Sequence, residues 1–469
     1  MSYFWKMDTL TRQKEIKKAN LSAIGEKVTS FFWDIAPENG FELREGQQDM
    51  SFEIMDALIH DQHFAVEAGV GIGKSFGYLV PALLYNKMMQ KPVIVATSTI
   101  ALQEQLWKDI HDVMPLLNLQ PEVILAKGQT HYLCHKRANE YLHTKDAVIP
   151  KELREGIEKG FEERKQFPAA LPQNIWDKVN VQRYGIGTCG FCSKKCVYHN
   201  IRFRLRYTAG IILCNQDFLT AHLLQIRREQ CGLISRDADL IIVDEAHNLE
   251  DKVRNATTKR VSQRMLLSLM KSATNEVKAS DRQVLYKETA AAQAAGRAFF
   301  NCLQAQIQKQ INFAQQDMRY ADRYFFDGSR HSLQLLAVLA ETIKSVAFSI
   351  QLHSNIAYTE QLTTASDELI ALGENLEELI EEPEDSLIWL ERRGSNAELV
   401  YCPKNTRQII NRLYFSGSER MILTSATLTN ATQGSLEDQY SYFISNTGFP
   451  TDEHGSLSEP KPSPYPYDE

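Results

Sequence analysis

Residues 67–75 read EAGVGIGKS and directly follow the apolar run at 64–66. Glycines at this spacing let backbone N–H groups turn inward and cradle phosphate oxygens between a strand and a helix. The pattern is that of a P-loop, with alanine where glycine is commoner at the first position. Its predicted nucleotide-binding residues are Ala68, Gly69, Gly71, Gly73, Lys74 and Ser75. Lys74 would bind the β and γ phosphates, Ser75 would ligate Mg²⁺, and the positive end of the helix dipole would add to both.

A second motif lies at residues 239–249, which read DLIIVDEAHNL. The apolar run at 240–243 predicts a strand buried in a parallel sheet. Asp244 at its end can hold the hydration shell of Mg²⁺, and Glu245 can orient and deprotonate an attacking water. A third motif, LTSAT at 423–427, also ends an apolar run. Together with the P-loop, these motifs indicate a motor ATPase.

Composition is that of a soluble globular protein. The 469 residues are 43% hydrophobic and 24% charged, with a net charge of −7, and the length allows two to four domains. Residues 128–206 hold 15 Lys/Arg against 8 Asp/Glu, whereas residues 367–385 hold 9 Asp/Glu and no Lys or Arg. The basic segment fits a local DNA path, and two ordinary solvated surfaces fit the charges equally well.

No membrane span is expected, because no run of 18 apolar residues occurs. The N-terminal sequence MSYFWK lacks a signal-peptide pattern, so we predict a cytoplasmic protein whose eight cysteines are not structural disulfides.

Four cysteines are organised as a candidate metal site. Cys189, Cys192 and Cys196 follow a Cys-x2-Cys-x3-Cys spacing, and Cys134 lies upstream. Four thiolates suit an iron–sulfur cluster. Zinc fits equally well, bound by the four cysteines or by the three clustered ones with His199. The spacing therefore leaves both metals open.

The order of these motifs resembles the XPD/DinG family of superfamily 2 iron–sulfur DNA helicases, the bacterial DinG-like members more than the eukaryotic repair helicases. The resemblance covers roughly residues 41–465, although 255–385 matches only in position and helical character. The segments that carry it are FELREGQ (41–47), EAGVGIGKSFGYLVPALL (67–84), TSTIALQEQL (97–106), KGQTHYLC (127–134), the three clustered cysteines, ILCNQDFL (212–219), VDEAH (243–247) and LTSATL (423–428).

The resemblance implies ATP, Mg²⁺ and a [4Fe-4S] cluster as cofactors, the cluster on Cys134, Cys189, Cys192 and Cys196. It also implies that Gln47 contacts the adenine, with Arg44 nearby.

For the catalytic set, the resemblance implies that Lys74, Asp244 and Glu245 serve phosphate, metal and water. Thr427 would couple the nucleotide state to DNA contact. The segment with Thr97, Thr99 and Gln103 would meet the DNA backbone, and the alternative is that the two threonines cap the helix beginning near residue 101.

The expected fold class is α/β, a RecA-like parallel sheet around the P-loop with an iron–sulfur insertion and a helical Arch insertion. Strands are predicted at 64–66, 93–96, 123–125, 211–213, 240–243, 387–390, 399–401 and 421–423. The predicted domains are the first part of motor domain 1 (1–127), the iron–sulfur insertion (128–206), the second part of the motor domain (207–257), the Arch insertion (258–384), and its last part with a linker (385–469).

The predicted function is an ATP-dependent DNA helicase that translocates on single-stranded or forked DNA. Proline stands at every second position from Pro460 to Pro466, which is linker chemistry. We therefore expect an N-terminal fragment without the second motor domain, inactive or very slow by itself, with a separate C-terminal motor half as a partner. The alternative is a module that binds nucleotide and single-stranded DNA without turnover. A sensor that uses only the cysteines is opposed by the P-loop.

Overall fold

The structure is a computed structural model that describes residues 2–42, 44–144, 149–182, 196–228, 232–235, 237–275, 282–313, 323–353, 360–394 and 396–464. The chain forms two compact units. The first comprises the described parts of 1–182, 191–256 and 406–469, and the second comprises those of 257–405.

The strands in chain order are β1 (His63–Glu67), β2 (Val93–Thr97), β3 (Val123–Ala126), β4 (Ile211–Asn215), β5 (Leu240–Asp244), β6 (Lys259–Ser262), β7 (Arg323–Phe325), β8 (Ser386–Arg393), β9 (Asn396–Pro403), β10 (Arg420–Ser425) and β11 (Gly455–Leu457).

The helices are α1 (Ser2–Ser30), α2 (Ala36–Glu38), α3 (Glu45–Ile59), α4 (Lys74–Met89), α5 (Ile100–Leu116), α6 (His135–Leu142), α7 (Lys151–Glu158), α8 (Gln173–Val179), α9 (Val197–Tyr207), α10 (Gln216–Arg227), α11 (Leu249–Thr257), α12 (Gln263–Asn275), α13 (Arg282–Phe313), α14 (Arg330–His353), α15 (Glu360–Glu381), α16 (Thr406–Ile410), α17 (Leu436–Gln439) and α18 (Ser441–Thr447).

The first unit is built on a seven-stranded sheet in the order β11-β1-β10-β5-β2-β4-β3. All six neighbouring pairs are parallel. The central strands are continuous apolar runs because helices cover both faces: α3, α4 and α5 lie on one core, and α10 and α18 lie on the other. The predicted α/β parallel sheet is confirmed.

The register of this sheet sets the positions of the motif residues. β10 lies between β1 and β5, with Glu67 opposite Ser425 and Thr424 opposite Asp244. The carboxyl ends of the three strands therefore meet at one edge. The P-loop, the Asp244 loop and the 423–427 motif, which are distant in sequence, become neighbours there.

The second unit contains an antiparallel sheet in the order β6-β9-β8-β7, together with α12 to α15. Its core includes the fully buried Phe299, Leu303, Leu336, Ile343 and Leu376. The prediction that these helices form an Arch domain remains a prediction.

Two predicted strands lie in a different sheet from the one expected. The runs at 387–390 and 399–401 are β8 and β9, which pair antiparallel in the second unit. The segment between them is too short for the helical crossover that parallel strands need. The predicted boundary at 384/385 is corrected accordingly, since residues through 405 belong to the second unit and the first resumes at Thr406.

The end of the chain does more than the linker that its proline pattern predicts. β11 pairs with β1, and the extended chain continues along the sheet edge, where Ser458 N donates to Ala65 O at 3.0 Å. Proline tolerates such an edge position because one side of the strand needs no N–H donor.

By length and composition, one helix among the described residues could cross a membrane: the stretch Arg330–Leu352 of α14, with a mean hydropathy of 1.5. Leu339, Ile343 and Val346 on this helix are completely buried in the core of the second unit. A core helix meets the same criterion, so the finding is weak support for a membrane span. The cytoplasmic location remains a prediction.

Candidate functional site

The P-loop connects β1 to α4, as the sequence predicts. Gly71 and Gly73 adopt φ values of 88° and 84°, in the left-handed region that glycine reaches without a steric penalty. α4 begins at Lys74, directly after Gly73. The loop therefore ends at a helix N-terminus, where backbone N–H groups and the helix dipole attract anions.

Lys74 forms an ion pair with Glu245 across the carboxyl edge of the sheet. Its Nζ lies 3.1 Å from Glu245 Oε1, and the two side chains are only 16% and 22% exposed. Glu245 has a φ of 56°, which is unusual for a residue other than glycine. Gln216 fixes this turn, because its Nε2 donates to Asp244 O at 2.7 Å and to Glu245 O at 3.0 Å.

Asp244 is buried at the end of β5. Its Oδ2 accepts from Thr97 Oγ1 at 3.5 Å. Within the described parts of the chain, its Oδ1 is buried without a hydrogen-bond partner. Burial raises the pKa of Asp244 to about 6, and the nearby Lys74 ammonium acts in the opposite direction. The fully buried Tyr78 has both Ser75 and Asp244 as neighbours.

A buried carboxylate oxygen without a partner is costly unless a cation binds there. Asp244 and Ser75 together are thus a donor set that fits Mg²⁺.

His247 extends the polar contacts from Glu245 to β10. Its Nδ1 lies 3.3 Å from Glu245 Oε2 and 2.6 Å from Ser425 Oγ. Ser425 Oγ also accepts from Thr427 N at 3.2 Å, and Ser425 O accepts from Ala68 N at 2.8 Å. Ser425 therefore contacts all three motifs. The sequence-based prediction gave the coupling role to Thr427, whose backbone N–H is bound to Ser425.

Like Ser425, Glu67 has a role that the sequence analysis did not single out. Its Oε2 accepts from Leu428 N and Thr429 N, both at 2.6 Å, and from Thr429 Oγ1 at 2.9 Å. The last residue of β1 therefore holds the loop that follows β10. A carboxylate at the start of a P-loop pattern was the available signal, but nothing in the sequence identified its partners.

Arg44 and Gln47, the predicted adenine-side residues, lie beside the P-loop. The Arg44 guanidinium donates to Gly71 O, and Gln47 Nε2 donates to Gly73 O at 2.7 Å. Both side chains bind the carbonyls of the two left-handed glycines and so stabilise the loop shape. Contact with adenine remains a prediction for both.

Of the three residues predicted to lie on the DNA side, Thr97 and Gln103 are internal and Thr99 is exposed. Thr97 is completely buried, and Gln103 is 1% exposed, with its Nε2 donating to Leu213 O at 2.8 Å and to Ala126 O at 3.2 Å. Thr99 caps α5, because its side chain accepts from Leu102 N at 3.2 Å. Thr99 therefore caps α5, as the alternative predicts for it, and Thr97 and Gln103 are buried. Contact of this segment with DNA remains a prediction.

Of the four candidate cluster ligands, Cys134 and Cys196 lie in the described chain, and Cys189 and Cys192 lie outside it. Cys134 and Cys196 directly precede α6 and α9. Tyr132 and Tyr198 bring the two cysteine segments together, with ring centroids 5.6 Å apart. Among the described residues there is no group of three or more His, Cys, Asp or Glu that could hold a metal ion.

The chain is similar to known proteins over much of its length. The DEAD_2 family profile matches residues 127–266, a range that includes Asp244 and Glu245. The probable ATP-dependent helicase YpvA of Bacillus subtilis is 26% identical over 483 residues, which cover 98% of this chain and 70% of YpvA. The ATP-dependent helicase DinG of Mycobacterium tuberculosis is 29% identical over 239 residues, which cover 45% of this chain and 35% of DinG.

Among solved structures, that of S. tokodaii Xpd4 aligns with this chain over 84% of this chain and 59% of the Xpd4 chain. The sequence identity is 15% and the TM-score is 0.36.

Proposed function

From its similarity to the DEAD_2 profile and to DinG-type helicases, we propose that the chain is an XPD/DinG-like helicase whose first unit is a motor domain that binds and hydrolyses Mg-ATP while acting on single-stranded DNA. One observation carries the proposal: Lys74, Glu245, His247 and Ser425 form a continuous series of polar contacts. This series begins at the P-loop and ends on β10. Such a series suits an enzyme in which binding or hydrolysis of the γ phosphate changes the contacts of β10.

The Lys74–Glu245 pair gives the phosphate a specific effect. The γ phosphate of ATP would compete with Glu245 for the Lys74 ammonium. Among the described residues, the other ion-pair partner of the Glu245 carboxylate is His247. Once Lys74 binds the phosphate, the Glu245 carboxylate is released from the ion pair and can accept a proton from the attacking water. Because His247 contacts both Glu245 and Ser425, loss of the Lys74–Glu245 ion pair would alter the contacts of the 423–427 segment.

Asp244 and Ser75 would hold Mg²⁺, which when bound supplies positive charge against the phosphate oxygens. The proposal is supported by Asp244 Oδ1, which is buried without a hydrogen-bond partner among the described residues, and by the position of Ser75 in the first turn of α4.

We expect Glu245→Gln to slow hydrolysis of bound ATP by at least about 100-fold, because general-base catalysis contributes at least this much. The assay uses single-turnover conditions, with protein in excess over ATP and single-stranded DNA present, so that a slow motor domain is still measured. Glu250→Gln is the control, since Glu250 lies on α11 and pairs with Arg254 of the same helix.

Equal rates for the wild-type chain and Glu245→Gln would contradict the assigned base. ATP binding without any hydrolysis by the wild-type chain would favour the second candidate, a nucleotide-binding module without turnover. In our proposal, a second motor body on a separate polypeptide would raise the rate of the wild-type chain.

The proposed DNA contact is supported by the surface of α9, in the basic segment. Phe203 and Tyr207 are 61% and 71% exposed, and their ring centroids are 4.8 Å apart. Arg204 is exposed beside them and pairs with Glu122 at 2.9 Å, and α9 itself has three arginines and no acidic residue. Exposed aromatic rings beside positive charge are typical of surfaces that stack the bases of single strands.

Replacing Phe203 and Tyr207 together with alanine should weaken binding of a fluorescent polythymidine oligonucleotide by at least about fivefold, since base–aromatic stacking contributes on this scale. Tyr442→Ala is the matched control, because Tyr442 is 65% exposed on α18 of the same unit. The affinity of the wild-type chain for this oligonucleotide should fall steeply with added salt. Unchanged affinity in the double variant would rule out α9 as the contact surface.

The [4Fe-4S] cluster on Cys134, Cys189, Cys192 and Cys196 also remains a proposal. The tyrosine contact between the Cys134 and Cys196 segments supports it, since ligands of one cluster must lie close together.

Protein purified without oxygen should contain iron and sulfide, and Cys134→Ser should lower the iron content, because cluster assembly needs all four thiolates. Elemental analysis with Cys402→Ser as a control measures this, since Cys402 is buried in β9 of the second unit. One zinc ion per chain without iron would contradict the cluster.

A further inference from the structure

Residues 458–463 run along the edge of the nucleotide site and contact the P-loop through the backbone. Lys461 N donates to Glu67 O at 2.8 Å, and Gly69 N donates to Lys461 O at 2.9 Å. These bonds continue the parallel pairing of β11 with β1 beyond the end of the strand. The first turn of the P-loop is therefore hydrogen-bonded to a segment nearly 400 residues away in sequence.

The contact between this segment and the P-loop continues to Ser463. Ser463 Oγ donates to Val70 O at 2.8 Å. A Cβ atom at Gly69 would lie 2.7 Å from Ser463 N, so the close approach requires glycine at this position. Gly69 thus has a role in packing in addition to its place in the P-loop pattern.

Glu53 anchors the segment from the other side. Its Oε1 accepts from Lys461 Nζ at 2.8 Å, and its Oε2 accepts from Ser458 Oγ at 2.6 Å. The Lys461 side chain is only 10% exposed. Glu53 lies on α3, the helix whose Gln47 binds Gly73 O. One carboxylate therefore joins the segment to the helix that supports the other end of the P-loop.

We propose that residues 458–463 are a strap that holds the P-loop in its phosphate-binding shape, and that Lys461 and Glu53 are positioning residues for nucleotide binding. The inference rests on the proposed binding of nucleotide at the P-loop. A phosphate-binding loop is effective when its N–H groups already point inward before the ligand arrives, because the ordering cost is then small. The strap binds the Gly69 N–H and the Val70 carbonyl, and it thereby fixes the start of the loop before a phosphate arrives.

The test compares the affinities of the wild-type chain, Lys461→Met and Lys461→Arg for Mg-ADP by isothermal titration calorimetry. Methionine keeps the length of the side chain but removes the ammonium, and we expect about fivefold weaker binding, the effect of losing roughly one net hydrogen bond. Arginine can still bind Glu53 and should restore most of the affinity. Glu53→Gln should weaken binding similarly, and the double variant should be no weaker than either single variant, because the two residues act as one pair.

Lys91→Met is the matched control. Lys91 is also paired with a carboxylate, that of Asp239, but it lies before β2, at the edge of the sheet opposite the P-loop. Its loss should leave the affinity unchanged. Hydrogen exchange of the unliganded protein gives a second readout, because release of the strap should speed exchange over residues 67–73 in Lys461→Met and not in Lys91→Met.

The outcomes separate the two proposals. If the wild-type chain does not bind Mg-ADP, nucleotide binding itself is wrong, and the exchange measurement still decides whether the strap holds the loop. If the wild-type chain binds and both Lys461→Met and Glu53→Gln bind equally well, the strap has no positioning role. Should Lys461→Met fail to fold, Glu53→Gln decides, since Glu53 is 37% exposed and its replacement leaves the strap backbone in place.

Discussion

The site depends on the register of β10 between β1 and β5. This register places Ser425 beside Glu67 and Thr424 beside Asp244, so three loops meet at the carboxyl edge of one parallel sheet. A slip of one residue would turn each side chain to the opposite face of the sheet, and it would separate Ser425 from His247. The buried apolar runs on both faces oppose such a slip. The polar contacts at the edge are therefore positioned by hydrophobic packing inside the sheet.

At the P-loop, the charges of Lys74 and Glu245 neutralise each other. Lys74 is paired with Glu245, and Arg44 and Gln47 are bound to loop carbonyls. A nucleotide bound as we propose would exchange one set of polar contacts for another. Such an exchange costs less than creating buried charges without partners, and it gives bound phosphate a direct effect on the Glu245 carboxylate.

Much of the fold was predictable from local sequence. The P-loop, the apolar runs and the helices between them predicted the parallel sheet, because its strands are buried on both faces. β8 and β9 were assigned to the wrong sheet, although the short connection between them favours an antiparallel hairpin. β6, β7 and β11 were missed because these short strands contain no apolar run. The roles of Glu67, Ser425 and Lys461 come from contacts across hundreds of residues, which no local pattern contains.

The central claim is that Lys74 exchanges Glu245 for the phosphates of a bound nucleotide. Calorimetric titration of Mg-ATP into the wild-type chain, Lys74→Ala and Lys87→Ala tests this most directly, since Lys87 is an exposed lysine in the last turn of the same helix. The account predicts wild-type affinity for Lys87→Ala and a loss of at least about 100-fold for Lys74→Ala, the scale of removing one partner of a desolvated charge pair. Equal affinity for all three proteins would contradict it.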